Sequence, residues 1–522
     1  MSASDAARRW NSLTSIATLG TNRAAPPLEK LWPIGDLPLP TGSPERAFLR
    51  AAAMAYLWQI SGTRVAAAAI PESDPAPPLE ERLVSEKAAW RLARMLNGDH
   101  RDLVPEWLAL ASRAQAAVPP HWLPMMMEKL EARERSVASP VLGRRADWLA
   151  KRNSAWARTL ASHEPAEERW LNGTLEERRV ELAAVRALDP SVGREWLQRT
   201  WQTDPPQART AFLETMRIAP GLSDADEPFL ETALDDKRRD VRVAAVECLC
   251  QLPNSAHARR NFERLHTLVR LDAPGSGLLG KLRRRRLEIQ LPESLDKATA
   301  RDGINAKPPA QQKIGERAYW VMQMVSMARP AQWCERLNCD IDTFLDAALA
   351  TDYGADLLIA LCEAAGRYHD AAWILALCTR LLVSQSPPGA QKDGTRMMPA
   401  LVAAAPAANQ DAILKALLSA GKAADLDLLQ TVLAGVEVEW GAGTTARAFE
   451  LLEERLRTDT LNYSYARNTL AAWGPRADVT TAGAVLSRLL AGCPEKSPWR
   501  NALDTLNEII EFRLAMRKEL SE

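Results

Sequence analysis

The sequence predicts an all-α protein whose helices pair and stack side by side as an α-solenoid. Three observations support this fold class. Apolar residues, mostly Ala and Leu, recur at intervals of three and four along almost every periodic stretch, and the strict alternation typical of strands is absent. Gly and Pro cluster between these stretches rather than inside them. A short Ala-Ala-Val core also recurs, which indicates internal repetition.

The composition is that of a folded protein without a charge bias. Of 522 residues, 47% are hydrophobic and 25% are charged, and 66 Lys and Arg balance 66 Asp and Glu. This excludes global disorder. It also disfavours a dedicated nucleic-acid binder, because phosphate contacts usually require a basic excess. We expect a cytoplasmic protein, since the N-terminus lacks a signal-peptide core and no apolar run is long enough to span a bilayer.

The chain divides into four parts by composition. Residues 1–165 predict a helical domain with Pro-rich loops, and residues 166–290 predict a region of HEAT-like repeats. Residues 291–313 are rich in Pro, Asp, Lys and Gly, which is typical of an extended connector. Residues 314–522 predict a second helical-repeat region with short turns.

The clearest repeat lies in the second part. Residues 174–188 and 234–249 share an Ala-Ala-Val-x-x-Leu core, and residues 209–216 form a weaker copy between them. Helices at such short intervals, each with a face of small residues, are typical of the HEAT and armadillo class of α-solenoid.

Residues 234–252 resemble a single HEAT repeat, which is an antiparallel pair of helices. The resemblance assigns a stacking role to Asp235 or Asp236 and to Val241 and Arg242. The Asp can accept backbone N–H groups at the start of the second helix. The Arg is long enough to reach the Asp of the neighbouring unit.

Seven short motifs follow one another along the first two thirds of the chain. They are residues 18–23, 140–150, 170–178, 226–236, 287–292, 301–304 and 315–320. In this order they resemble an uncharacterised bacterial domain-of-unknown-function family of HEAT-like helical-repeat proteins. Its members tend to be encoded beside a SWIM zinc-finger protein, a MoxR-type AAA+ ATPase and a von Willebrand factor A-domain protein. The resemblance therefore implies a protein partner from such an assembly, and it implies no catalytic residue.

Known catalytic and cofactor motifs are missing from the sequence. It has no Walker phosphate loop, no H-E-x-x-H and no G-x-S-x-G. Gly275, Gly277 and Gly280 match G-x-G-x-x-G in letters, but they follow a predicted helix rather than a strand, which favours a flexible turn. The six His and seven Cys are scattered, so we expect apolar packing for the thiols and neither a metal nor a cofactor.

Four potentially reactive side chains lie close together in sequence in the C-terminal part. They are Asp356, Glu363, His369 and Asp370. Surface and capping charge is the favoured interpretation, and a metal or acid/base site is the alternative.

A basic run is the strongest local charge feature. Its members are Lys281, Arg283, Arg284, Arg285 and Arg286. If the run is helical, these residues spread around the helix and Leu282 and Leu287 face inward. The run can then contact phosphates or an acidic partner. The alternative is a solvated helix face within a connector.

The repeats, together with the lack of a catalytic motif, predict a non-catalytic scaffold for protein–protein interaction rather than an enzyme. The family resemblance makes the MoxR-type ATPase, the von Willebrand A-domain protein and the SWIM zinc-finger protein the expected partners. The alternative function is that of a nucleic-acid-binding, DNA-glycosylase-like HEAT protein that uses residues 281–286.

Overall fold

The computed structural model describes residues 3–21, 43–60, 75–153, 156, 165–272, 285–310, 312–383, 388–422, 425–458, 470–497 and 499–521. Within these ranges the chain forms twenty-five α-helices and one two-stranded sheet. The prediction of an all-α fold class is therefore confirmed. By its contacts the chain separates into two compact units, Met1–Ala76 and Pro77–Glu522.

The first unit contains two helices, α1 (Ala3–Leu19) and α2 (Pro44–Ile60), that pack against each other. Leu13, Ile16 and Ala51 form the buried centre of this pair. Gly20 follows α1 with a φ of 85°, a left-handed conformation that Gly adopts at low cost, and its N–H donates to the Ile16 carbonyl.

The second unit begins with four helices around a core of their own. They are α3 (Glu86–Leu96), α4 (Val104–Arg113), α5 (Leu123–Lys129) and α6 (Ala132–Ala150). Trp107 is fully buried in this core, and its indole N–H donates to the Ala88 carbonyl at 3.1 Å. Ser85 caps α3 by accepting from the Ala88 N–H, as expected for a Ser at this position.

The next seven helices form the region of predicted repeats. They are α7 (Glu167–Asn172), α8 (Leu175–Leu188), α9 (Pro190–Thr200), α10 (Pro206–Ile218), α11 (Glu227–Ala233), α12 (Arg239–Leu249) and α13 (Ala256–Leu268). Helices α8, α10 and α12 lie side by side, while α7 and α9 pack on α8, and α11 packs on α12. The Ala-Ala-Val core lies in this row of helices, where Ala245 and Val246 are buried.

Ion pairs connect the helices of this row. Arg178 on α8 donates two hydrogen bonds to the carboxylate of Asp204, at 2.7 and 2.9 Å. Arg209 on α10 approaches Asp236 in the same way, with Nε 2.9 Å from Oδ2. Asp204 and Asp236 each lie just before the next helix of the row.

The structure places the predicted stacking residues as follows. Val241 is fully buried, and the Asp236 carboxylate accepts from the Arg238 N–H at the start of α12 as expected. Arg242 does not make its expected contact with the Asp of a neighbouring unit. It donates instead to the backbone carbonyls of Asp236 and Lys237, just before α12.

A small antiparallel sheet follows α13. It pairs β1 (Val269–Leu271) with β2 (Leu287–Ile289), and Arg270 lies opposite Glu288. These strands were not predicted from the sequence, and a helix through the basic run, considered there as one possibility, does not extend to Leu287. Leu287 is buried as expected, but it belongs to a strand.

Part of the segment predicted as a connector contacts α11, α12 and α13, through Arg301, Asp302 and Gly303. It contains the short helix α14 (Lys297–Arg301), from which Arg301 donates to the Asp235 carboxylate. The next residue, Asp302, is buried and accepts hydrogen bonds from Arg260 and Arg264 on α13 at 2.8 to 3.0 Å.

Eleven helices complete the described part of the second unit. They are α15 (Glu316–Met327), α16 (Ala331–Leu337), α17 (Ile341–Leu349), α18 (Gly354–Arg367), α19 (Ala371–Leu382), α20 (Pro388–Ala403), α21 (Ala407–Ala420), α22 (Leu426–Gly435), α23 (Ala442–Thr458), α24 (Val479–Gly492) and α25 (Arg500–Ser521). Helices α15, α18, α20 and α22 pack in one succession and α19, α21, α23 and α24 in another. One apolar core runs from Trp170 to Ile510 through both.

The C-terminal helix α25 packs against α24 and against α3 and α4, so it connects the two ends of the second unit. Phe512 and Met516 join the core formed by α3 to α6. The buried guanidinium of Arg513 donates to Glu106 on α4 at 2.7 Å and to the carbonyls of Gly474 and Ala477.

Candidate functional site

The predicted basic run lies only partly within the described residues. Lys281, Arg283 and Arg284 fall outside them, as do the three glycines of the G-x-G-x-x-G match. Arg285 donates to the Asp272 carbonyl at 2.7 Å and to the Asn338 carbonyl at 3.4 Å. Arg286 is exposed beside β2. The Arg285 guanidinium therefore connects the sheet to the turn after α16.

The cysteines are placed as packing residues. Cys248 and Cys250 are fully buried, and burial raises the pKa of each thiol to about 12. Burial also raises the pKa of Cys334, next to Cys339, to about 12. These thiols therefore stay protonated at neutral pH. No group of three or more His, Cys, Asp or Glu suited to a metal ion occurs in the described part of the chain.

A cavity of about 660 Å³ opens between α15 and α18. On α15, Tyr319 and Gln323 face it, while the neighbouring Trp320 and Val321 are buried. These two polar residues are four positions apart and so lie on one face of the helix.

Helix α18 contributes two carboxyl groups to the same cavity. Asp356 and Glu363 are seven residues apart, and Ile359 and Ala360 lie between them on the cavity wall. A spacing of seven places both carboxyls on one helix face, two turns apart. Tyr319, Gln323 and the two acids thus converge from helices that are distant in sequence.

Burial perturbs the acid groups that line this cavity. It raises the pKa of Asp356 above its usual value. It also raises the pKa of Glu363, although the charge of Arg367 and a hydrogen bond with Ser326 oppose the rise. Burial raises the pKa of Tyr319 as well. Among the described residues, neither carboxyl group forms an ion pair.

Other recessed carboxylates in the chain have arginine partners. Asp204 binds Arg178, Asp226 binds Arg186 and Arg194, Asp236 binds Arg209, Asp302 binds Arg260 and Arg264, and Glu106 binds Arg513 and Arg517. The cavity acids therefore differ from the carboxylates that stabilise the packing.

A second cavity of about 550 Å³ lies between α10 and α12. Its wall is formed by Thr210, Glu214, Arg217, Arg239, Asp240, Val243, Ala244 and Glu247. Glu247 accepts a hydrogen bond from Arg367 on α18 at 3.1 Å, and Arg367 also donates to the Ser326 carbonyl. Because Arg367 is one turn beyond Glu363, the Glu247–Arg367 pair links α12, which lines the second cavity, to α18, which lines the first.

The four predicted residues of the C-terminal part separate into two groups. Asp370 caps α19 by accepting from the Trp373 N–H, and His369 donates to the Ala404 carbonyl, so capping and packing describe both. Asp356 and Glu363 instead line the cavity. The sequence analysis missed Tyr319 and Gln323, although two polar residues four apart on a helix of buried apolar residues are a usable signal.

The fold and the cavities define a predominantly helical protein in which two carboxyl groups line a cavity without an ion-pair partner among the described residues. No described helix combines the length and the apolar character needed to cross a membrane. The chain belongs to DUF5691, a family of unknown function whose sequence profile matches residues 12–520. This confirms the resemblance to a family of unknown function. A comparison with curated proteins found no match.

Proposed function

We propose that this protein is a non-catalytic scaffold that binds an extended segment of a partner protein in the groove across α10, α12, α15 and α18. The observation that carries the proposal is the Glu247–Arg367 ion pair, which links the helices α12 and α18 that line cavities of about 550 and 660 Å³. A groove that crosses successive helices has the shape that helical-repeat proteins offer to extended ligands.

The proposal includes a HEAT-like solenoid architecture for the second unit. Two features support it. Helices α8, α10 and α12 pack in a row, as do α15, α18, α20 and α22. The Arg178–Asp204 and Arg209–Asp236 pairs also connect successive helices of the first row by the same contact. A repeated contact between neighbours is the basis of solenoid stability.

The charge of the groove suits a partner that is selected by complementary polar groups. The cavity between α10 and α12 is lined by charges of both signs, namely Arg217, Arg239, Glu214, Asp240 and Glu247. Charges of both signs favour one register of a bound segment over others and penalise mismatched partners. The MoxR-type ATPase and the von Willebrand A-domain protein, which the family resemblance implies, are the first candidates, and the SWIM zinc-finger protein is the third.

Site-specific photo-cross-linking in cells that carry the natural gene neighbourhood tests the scaffold. Val243, which is 42% exposed in the groove, is replaced by a photoreactive phenylalanine. The matched control carries the same group at Leu171, which is 53% exposed and lines neither cavity. We expect a defined protein adduct from position 243 and none from position 171.

A second probe position guards against an unfavourable geometry at Val243. Thr210 lines the same cavity from α10. If neither position gives a protein adduct that is missing from the Leu171 control, the proposed scaffold function is wrong.

The nucleic-acid alternative gains no support from the described part of the basic run. Arg285 is engaged with two backbone carbonyls of its own chain, which leaves less of its guanidinium for phosphates. The hypothesis that residues 281–286 bind nucleic acid stays a prediction, and the groove is the better-supported site.

A further inference from the structure

The arrangement of groups in the cavity between α15 and α18 indicates a second kind of ligand. Asp356 and Glu363 lie on one face of α18, seven positions apart in sequence. At 1.5 Å per residue their backbone positions are about 10 Å apart along the helix axis. No group of three or more metal-binding side chains occurs among the described residues, and the spacing of two helical turns suits two separate cationic groups.

The wall between the two acids is apolar. Ile359 and Ala360 lie between them on α18, and Met322 faces them from α15. Along the cavity the order is therefore carboxylate, apolar wall, carboxylate. The complementary ligand has a cation at each end and a hydrocarbon chain between.

Desolvation makes a cationic partner favourable at both ends. Partial burial raises the pKa of the half-buried Asp356 and of Glu363, which still reaches solvent, so the ionised forms lack part of their hydration. Recessed carboxylates elsewhere in this chain regain that energy from arginines. A bound ammonium group provides the same compensation in the cavity.

The other charged groups at the cavity leave room for such a ligand. Lys313 lies on the exposed rim and forms no ion pair with either acid among the described residues. Arg367 is held by Glu247 and by the Ser326 carbonyl. The Gln323 amide oxygen accepts from the backbone N–H and the side-chain amide of Asn305, at 2.8 and 3.1 Å, so the two carboxyl groups carry the recognition of the cations.

We propose that this cavity binds a linear aliphatic diamine or polyamine, with one ammonium group at Asp356, the other at Glu363 and the chain against Ile359. This binding activity is separate from the proposed scaffold function, since it requires a small molecule and no partner protein. An octane chain matches the spacing of the two acids, whereas a butane chain is too short to reach both.

Isothermal titration calorimetry on the full chain tests the proposal with diaminobutane, diaminopentane and diaminooctane. Octylamine, which has the same apolar chain but one charge, is the ligand control. We expect diaminooctane to bind at least about tenfold more tightly than either diaminobutane or octylamine, because only it engages both carboxylates.

Substitutions that keep side-chain shape and remove charge test the two ends separately. Asp356→Asn and Glu363→Gln are each expected to weaken diaminooctane binding about tenfold, to the level of octylamine. Glu176→Gln removes one charge from the exposed surface of α8, outside both cavities, and is expected to leave the affinity unchanged. Thermal melting by circular dichroism confirms that each variant is folded.

Three results overturn the diamine proposal. They are an equal affinity for octylamine and diaminooctane, full binding to both cavity variants, or no heat of binding with any diamine. If diamines fail while position 243 still gives a protein adduct, the scaffold function stands without the small-molecule site. If diaminooctane binds but neither position 243 nor position 210 gives an adduct, the small-molecule site stands and the proposed scaffold function is wrong.

Discussion

The guanidinium of Arg178 forms two hydrogen bonds with the carboxylate of Asp204, and this pair ties α8 to the start of α10. Arg178 also lies over the ring of Trp170 at 4.3 Å and that of Phe212 at 4.7 Å. One helix pair further along, Arg209 binds Asp236 and lies 5.7 Å from the ring centre of Trp201. An Arg that binds an Asp and lies against a Trp ring therefore occurs twice in this row of helices.

Asp204→Ala is expected to lower the free energy of unfolding by about 3 kcal/mol, because it leaves the recessed Arg178 without its carboxylate. Urea denaturation measures the change. Glu176→Ala is the control, since Glu176 is highly exposed and pairs with Arg179 on the surface. The control should change stability by less than about 1 kcal/mol. Equal losses in the two variants would show that the contact does not organise the stack.

The packing of α25 against α3 and α4 gives a second prediction. Arg513→Ala removes a fully buried cation from Glu106 and from two backbone carbonyls, so we expect a loss of about 3–5 kcal/mol. Hydrogen exchange should accelerate in α3 and α4, although they lie more than 400 residues away in sequence. Glu511→Ala on the exposed side of α25 is the matched control. Faster exchange confined to α25 would contradict this prediction.

Acid sensitivity is expected from the buried His257. Burial lowers its pKa below 6.5, although the nearby Asp302 opposes the shift through its carbonyl and its charge. Arg260 and Glu231 are the other charged groups that act on the ring. The pKa of His257 is lower in the folded protein than in the unfolded chain, so the unfolded chain binds the proton first as the pH falls. The free energy of unfolding therefore decreases as the pH falls below about 6.5.

His257→Gln tests this assignment, since the Gln amide can still donate to the Asp302 carbonyl that the ring now contacts at 2.9 Å. Urea unfolding of both proteins between about pH 7.5 and 5.5 measures the dependence. The natural protein should lose more stability than the variant over this interval. Identical slopes would assign the acid sensitivity to other groups.

Local features of the fold could be predicted from the sequence, and long-range ones could not. The helix caps Ser85 and Asp370 and the burial of Val241 follow from positional preferences and from apolar spacing. The strands β1 and β2 have three residues each, which is too short for alternation to be recognised.

The cavity between α15 and α18 and the packing of α25 against α3 and α4 could not be predicted from the sequence, for a different physical reason. Asp356 and Tyr319 line one cavity, and Arg513 meets Glu106, only because tertiary packing aligns particular faces of separate helices. Helical periodicity tells which residues share a face, but it does not tell which two faces meet. For this reason Asp356 and Glu363 were interpreted as ordinary surface charge, and Tyr319 was not selected.

The family motif at residues 301–304 makes a further prediction through Gly303. Its φ of 101° is unfavourable for residues with a side chain, and an added Cβ would lie 2.7 Å from the Val246 side chain on α12. Gly303→Ala is therefore expected to cost about 2–3 kcal/mol from backbone strain and the steric clash together. Urea denaturation measures the loss.

Gly315→Ala is the matched control for this position, because an added Cβ there meets no atom within 4 Å and its φ is −68°. That variant should be neutral or slightly stabilising. Combining Gly303→Ala with Val246→Ala separates the two causes, since the second change removes the clash but not the strained φ. Partial recovery relative to Val246→Ala alone is expected. A harmless Gly303→Ala would mean that the turn after α14 does not depend on Gly303, so that the ion pairs of Arg301 and Asp302 suffice to hold the segment.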